Sequence, residues 1–392
     1  MPPFGALLQQ ALIAAVLLLA ASVALGDRGT RPEMGSSAPA DSAAALPPGT
    51  TVLQLRLIAA VPAWSPDGTT LAVSAYVGLR SYPRFYVQLW DARTGAPVRG
   101  LADTRGAGVS GSSLSFTRDG RQLVAPLINS AEAFQHTAMT VWDAASGEVL
   151  RQVPGPVSDR AIGFGEGQSL ALSPDGRILA LSAYPLDHVV AFYDPATWQL
   201  AGTLTVDAVE PRVLAFSPDG ATLAVAGRGN DIVLVDPQAR RVVRTIAAFH
   251  DSTRKPPDYI SGLAFSPDSR FVVAAPGSFS ARASIDEASG TPGQAIGPLR
   301  IWRVEDGALY RSFGKHGDRI DWLAWSPRQD GALVTAGAED RALRFWQVAG
   351  PGDDAVRTMP LPEPPSGLAF SPDGQRLAVS TGYKVLILPV PE

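Results

Sequence analysis

The sequence predicts an all-β fold: seven four-stranded antiparallel units closed into a ring, a β-propeller. Three observations predict it. One turn signature recurs seven times, each copy sits between two short apolar runs, and a third and usually a fourth run follow before the next copy. Self-similarity at a period of about 50 residues marks a repeat architecture.

The turn comes first. Its copies are Ser65-Pro66-Asp67-Gly68, Thr117-Arg118-Asp119-Gly120, Ser173-Pro174-Asp175-Gly176, Ser217-Pro218-Asp219-Gly220, Ser266-Pro267-Asp268-Ser269 and Ser371-Pro372-Asp373-Gly374. The sixth in chain order is Ser326-Pro327, where Arg328 and Gln329 precede Asp330-Gly331. The spacings are 52, 56, 44, 49, 60 and 45 residues. Pro presets φ at the second turn position, Gly suits the fourth, and Ser and Asp bond nearby backbone.

The flanking runs come next. Segments such as Gly262-Leu263-Ala264-Phe265 and Phe271-Val272-Val273-Ala274 are apolar on both alternations. Such strands are covered on both faces. The third runs include Tyr86 to Trp90, Met139 to Trp142, Leu299 to Trp302 and Leu343 to Trp346, and the first two end in Trp-Asp. The fourth runs share an apolar-Arg pattern: Val98-Arg99, Leu150-Arg151, Val243-Arg244, Tyr310-Arg311 and Val356-Arg357. Ala201-Gly202 breaks it. These arginines are expected to cover and charge the outer edge strand, which discourages edge-to-edge pairing. The seventh unit shows three runs, and Val52 to Ile58, containing Leu55-Arg56, can supply its outer strand and close the ring.

The N-terminus reads as a separate object. Phe4 to Leu25 carries no charge, and Ala11 to Leu25 is almost purely aliphatic. That suits a signal-peptide h-region with cleavage after Gly26, or an uncleaved membrane anchor. The domain reading is 1–26 signal peptide or anchor, 27–50 flexible Ala/Ser/Pro tether, and 51–392 propeller. The expected location is periplasmic or extracellular, or tethered to the membrane by that segment.

Composition narrows function. With 46% hydrophobic residues the chain can build a large core, and with no cysteine it has no disulfide or thiolate metal site. A net charge of -4 argues against a nucleic-acid binder that relies on a basic field. No HExxH, Walker loop or GxSxG is present. The Gly-rich Gly163 to Gly167 precedes a strand rather than a helix, so it does not read as a phosphate loop. His136, His188, His250 and His316 fall in connections of different units. No catalytic residue, metal or cofactor is expected.

The pairs Trp90-Asp91 and Trp142-Asp143, set after Ser-Pro-Asp-Gly turns, resemble the WD40 repeat family. The resemblance spans about Thr51 to Glu392. The sixth unit fits best, since Gly314-Lys315-His316-Gly317-Asp318 is similar to the family's Gly-His start. The resemblance implies that Thr335, Asp340 and Trp346 join His316 in a structural network. The other units lack that His, so their blades are expected to hold by packing alone. Thirty Arg against three Lys fit a GC-rich, bacterial source for this divergent member.

The resemblance also implies a scaffold that binds protein partners. In a propeller the second-to-third-strand loops share a face with the blade-to-blade loops. On that face we expect Tyr76, Tyr82, Arg84, Phe85, Arg160, Tyr184, His188, Arg228, Tyr259, Arg319, Asp321 and Tyr383. Tyr and Arg together are interface chemistry. A monomer is expected, with no nucleic acid and no membrane contact beyond the N-terminal segment. The alternative is a propeller-type enzyme, lactonase-like or a metal-dependent hydrolase, using His188, Asp187, Asp318 and Asp321 at the channel mouth. The Gly277 to Pro298 insertion, rich in Ser, Ala and Gly, is expected to be disordered.

Overall fold

The computed structural model describes residues 46–56, 58–77, 84–101, 108–109, 113–128, 137–156, 169–182, 188–250, 257, 259–277, 298–313, 320–329, 331–337, 341–349 and 355–390. The proposed signal segment, most of the tether and residues 278–297 of the insertion lie outside them.

Seven four-stranded antiparallel blades account for the described strands, apart from the two-residue strand Gly108–Val109, which pairs with the end of Gln122–Ile128. The first blade runs Ile58–Trp64, Thr70–Val77, Arg84–Asp91, Pro97–Leu101. The second ends in Gln122–Ile128, Thr137–Asp143 and Val149–Pro154, with its inner strand reduced to Ser115–Phe116. The third to sixth follow the same order, beginning at Leu170–Leu172, Glu210–Phe216, Tyr259–Phe265 and Ile320–Trp325. The seventh is Pro365–Phe370, Arg376–Thr381 and Lys384–Pro389, completed by Thr51–Gln54 from the other end of the chain. Each inner strand touches the inner strand of the next blade, and Pro365–Phe370 touches Ile58–Trp64, so the contacts form a closed ring.

The turn chemistry is repeated almost atom for atom. Ser65 Oγ donates to Asp67 Oδ1 at 2.6 Å, and Thr70 N donates back to Ser65 Oγ at 2.9 Å. Gly68 N closes the turn on Ser65 O at 2.9 Å. The same hydroxyl-to-carboxylate bond joins Thr117 to Asp119, Ser173 to Asp175, Ser217 to Asp219, Ser266 to Asp268 and Ser371 to Asp373. In the sixth blade, where two residues are inserted, Ser326 Oγ instead accepts from Arg328 N at 3.2 Å.

The core is divided among the gaps between blades. Seven buried clusters exist, and each mixes residues of two neighbouring blades. The second strands are buried over nearly all their length: Leu179–Ser182 throughout, and Leu223–Arg228 up to its exposed last residue. A sheet that is apolar on both faces needs a partner on both, and here the partners are the adjacent sheets.

The outer arginines do more than charge an edge. In each register they pair the residue two before the end of the third strand: Arg99 with Leu89, Arg151 with Val141, Arg244 with Leu234 and Arg311 with Ile301. From there the guanidinium reaches the next blade. Arg99 donates to Ser146 O (2.6 Å), Arg151 to Thr197 O (2.8 Å), Arg244 to Glu305 O (2.8 Å) and Arg311 to Val348 O (2.6 Å). The third blade reverses the arrangement. Gly202 stands in the arginine position opposite Phe192, and Arg240 of the fourth blade's turn fills the space over it. Leu55-Arg56 does not supply the seventh member. The closing strand stops at Gln54, its register puts Thr51 opposite Ile387, and Arg56 lies exposed beyond it. Blades without the histidine therefore hold by polar clamps as well as by packing.

Two outcomes test this account. Leu53 is fully buried on the closing strand and Val52 beside it is 43% exposed. Leu53→Ala is expected to cost about 2–5 kcal/mol and Val52→Ala less than about 0.5 kcal/mol in denaturant titrations. The second concerns acid. Ser or Thr hydroxyl bonds, followed by backbone N–H bonds, hold the carboxyls of Asp67, Asp119, Asp175 and Asp373 below the ordinary 3.8. A depressed folded pKa gives stability that is complete above the unfolded value and lost as pH falls through the folded one. The melting temperature should thus fall as pH drops below about 4. Asn at all four positions should flatten that acid limb.

Candidate functional site

Antiparallel pairing sorts the connections into two ends. The Ser-Pro-Asp-Gly turns join first to second strands at one end, and the second-to-third and blade-to-blade connections fall at the other. Of the twelve residues expected on the partner-binding face, His188, Arg228, Tyr259, Asp321 and Tyr383 have described side chains. All five lie at the loop end. His188 precedes Val189–Asp194, Arg228 ends Leu223–Arg228, and Tyr383 sits in the turn before Lys384–Pro389. Tyr259 begins the inner strand of the fifth blade, and Asp321 is the second residue of the sixth's. Of Tyr76, Arg84 and Phe85 only the backbone is described; Tyr76 pairs Phe85 and Val77 pairs Arg84 at the same end. Tyr82, Arg160, Tyr184 and Arg319 lie outside the described residues.

The structure brings two of these together. Arg228 and Tyr259 are bridge partners linking the fourth and fifth blades into one continuous sheet. Arg228 also faces Glu210, its own cross-strand neighbour, with Nη1 3.7 Å from Oε2. That pair is half in solvent and contributes at most about 1 kcal/mol. The Tyr259 ring lies across Gly277, where a Cβ would come within 2.5 Å of it. Sequence reading did not single out Glu210 or Gly277. The signal for Gly277 was its place directly opposite an aromatic residue, which requires the register to be known.

Tyr383 is 51% exposed while its backbone is pinned: its carbonyl accepts from Leu55 N at 2.8 Å and from Gln54 Nε2 at 3.3 Å. His188 is tied inward. It holds φ at 67°, its Nδ1 lies 2.8 Å from Val209 O, and its carbonyl accepts from Val206 N. It thereby fastens the third-to-fourth blade connection. His250 Nε2 lies 2.8 Å from Asp231 Oδ1. Among the described residues no three of His, Asp and Glu stand close enough to hold a metal ion. Asp187 and Asp318, invoked for an enzyme, lie outside them.

Half of the implied structural network is visible. Trp346 Nε1 donates to Thr335 Oγ1 at 2.8 Å, both residues being buried. His316 and Asp340 lie outside the described residues. The register explains why other blades do not repeat the bond. Trp346 pairs Leu333, two residues before Thr335; Trp90 and Trp142 pair Leu71 and Leu123, which puts Val73 and Ala125 in the acceptor's place. Trp90 Nε1 and Trp142 Nε1 accordingly have no partner among the described residues. The third blade has Tyr193 instead, whose hydroxyl donates to Pro154 O at 3.0 Å and whose pKa burial pushes up.

A closed ring of seven four-stranded blades, with Ser-Pro-Asp-Gly turns at one end and a Trp–Thr bond in the sixth, defines the class: this is a seven-bladed β-propeller whose repeats resemble those of WD40 proteins. The comparisons bear out the WD40 resemblance. No protein-family model matches it. It is 27% identical over 164 residues to an uncharacterized WD repeat-containing protein of Synechocystis, covering 42% of this chain and 39% of that protein. It is 23% identical over 310 residues to cell division cycle 20.1, cofactor of APC complex, of Arabidopsis thaliana, covering 70% and 62%. The chain thus spans less than two thirds of the length of either relative. A chain in a crystal structure of a mitotic checkpoint complex superposes with a TM-score of 0.67 at 19% identity, covering 94% of this chain and 98% of that one. That likeness shows the fold.

The buried Trp–Thr bond yields a test. Thr335→Val leaves Trp346 Nε1 without its acceptor and is expected to cost about 1–3 kcal/mol in equilibrium unfolding. In a Trp346→Phe background the same substitution should cost clearly less, because the donor is gone.

Proposed function

We propose that this chain is a non-enzymatic interaction scaffold that binds protein partners through its loop end. The observation that carries the reading is the collection of Arg228, Tyr259, Asp321 and Tyr383 at one end of a ring whose blades are bonded to one another. Rigid presentation lowers the ordering cost of binding, and exposed Tyr and Arg are the usual anchors of an interface. Its Arabidopsis relative is a cofactor of a complex, which is the same kind of role. Tyr76, Tyr82, Arg84, Phe85, Arg160, Tyr184, His188 and Arg319 complete the proposed face. The ring acts as a monomer, either exported or held at a membrane by its N-terminal segment.

The full chain used as bait should hold a stoichiometric protein from an extract of its source. A bait with alanine at Tyr82, Arg84, Tyr259 and Tyr383 should fold normally by circular dichroism and lose that protein. Unchanged capture by the folded variant would sink the proposal. Protease accessibility on intact cells tests the location.

A further inference from the structure

The turn end holds a feature that the loop-end reading leaves unused. Between the seventh and first blades, Arg376 opens the second strand and reaches across the gap. Its Nη2 donates to Gly68 O at 2.7 Å and its Nη1 to Ala92 O at 3.2 Å. Its guanidinium carbon lies 4.7 Å from the centre of the Trp64 ring. Two carbonyls and an aromatic face thus form a complete guanidinium receptor.

The repeat places the same receptor between the first and second blades. One blade on, Gly68 becomes Gly120, Ala92 becomes Ala144 and Trp64 becomes Phe116, each at the same turn or strand position. Arg376 becomes Thr70, the first residue of its strand. The threonine is too short to cross. A cleft of about 440 Å³ opens there, and Thr70, Phe116, Gly120 and Ala144 are all on its walls. Among the described residues no donor is bonded to Gly120 O or to Ala144 O.

Three other interfaces fill this position from within. Gln122 accepts from Trp198 Nε1, Ile178 packs into the core between the third and fourth blades, and Phe271 stacks on Tyr310. The fourth blade also has a threonine, Thr222, but faces Val304, packed into its interface core, where Ala144 stands here. The sixth blade has Ala332 there, but faces Val390, packed into its interface core, in the same place. Two acidic residues line the cleft: Asp67, and Asp119, whose Oδ2 lies 3.9 Å from Arg121 Nε at the exposed surface. Arg118 is on the wall too, but its guanidinium is turned to Asp175 O in the third blade, at 3.4 Å.

We propose that the cleft between the first and second blades is a receptor for a guanidinium group and takes an arginine side chain presented by a partner protein. The inference rests on the reading of the chain as an interaction module, and it adds a contact at the end opposite the loop face.

The test uses the full chain and acetyl-arginine-amide, followed by saturation-transfer NMR, with acetyl-citrulline-amide as the neutral isostere. Wild type should bind the arginine probe saturably at about millimolar concentration and the citrulline probe about tenfold more weakly. Thr70→Arg should fill the cleft as Arg376 fills its own, and reduce binding at least about tenfold. Ala144→Val, which copies Val304, should do the same by narrowing the cleft and guards against a misfolded Thr70→Arg. Equal binding of both probes, or unchanged binding in either folded variant, overturns the proposal. A partner captured equally by wild type and by Thr70→Arg also overturns it, while leaving the loop-end reading to its own variant.

Discussion

The structure depends on one constraint: every sheet is apolar on both faces, so no blade can bury its own surface. Each of the seven buried clusters belongs to two blades at once. A row of such sheets would leave two bare faces, and closing the row removes both. That is why Thr51–Gln54 pairs with Lys384–Pro389, more than 300 residues away in sequence, and why Leu53 is fully buried there. The hydrophobic term is non-directional, however, and does not by itself set the angle between blades.

Direction comes from polar contacts across the gaps. The outer-strand arginines bond turn carbonyls of the following blade, and their stems lie where a turn glycine leaves space, as Arg99 does against Gly147. The pair Gly202 and Arg240 shows that the long side chain in such a gap can come from either side of it. The Trp–Thr bond of the sixth blade stiffens the inside of a blade rather than the joint between two. This division of labour lets the first and second blades carry tryptophans whose ring N–H has no described partner, at some cost, without loss of the ring.

The two ends are thereby suited to different work. Connections at the loop end vary in length, down to the two-residue turns Gly229-Asn230 and Gly382-Tyr383, and the Tyr383 backbone is held while its side chain reaches solvent. The turn end is short and repetitive, so a departure from the repeat that no neighbour fills leaves a shaped gap. Thr70 in the place of Arg376 is such a departure.

Much of the architecture was legible because its causes are local. Ser, Pro, Asp and Gly act within six residues, so each turn announced itself, and the unbroken apolar second strands announced sheets covered on both faces. Trp346 and Thr335 were legible through family resemblance. What lay beyond the sequence was register. Arg56 matched the outer-strand pattern by type, yet pairing put Thr51 in that place. His188 stands at the loop end as expected, but its Nδ1 lies on Val209 O, a contact that sequence spacing does not show. Gly277 and the Phe116 cleft acquire meaning only when a strand or a blade is laid beside its neighbour. The sequence by itself determined the number of blades and the chemistry of their turns, because those forces act along the chain. Tertiary structure decided which side chains clamp, cover or leave open each interface, because those forces act between segments brought together only when the ring closes.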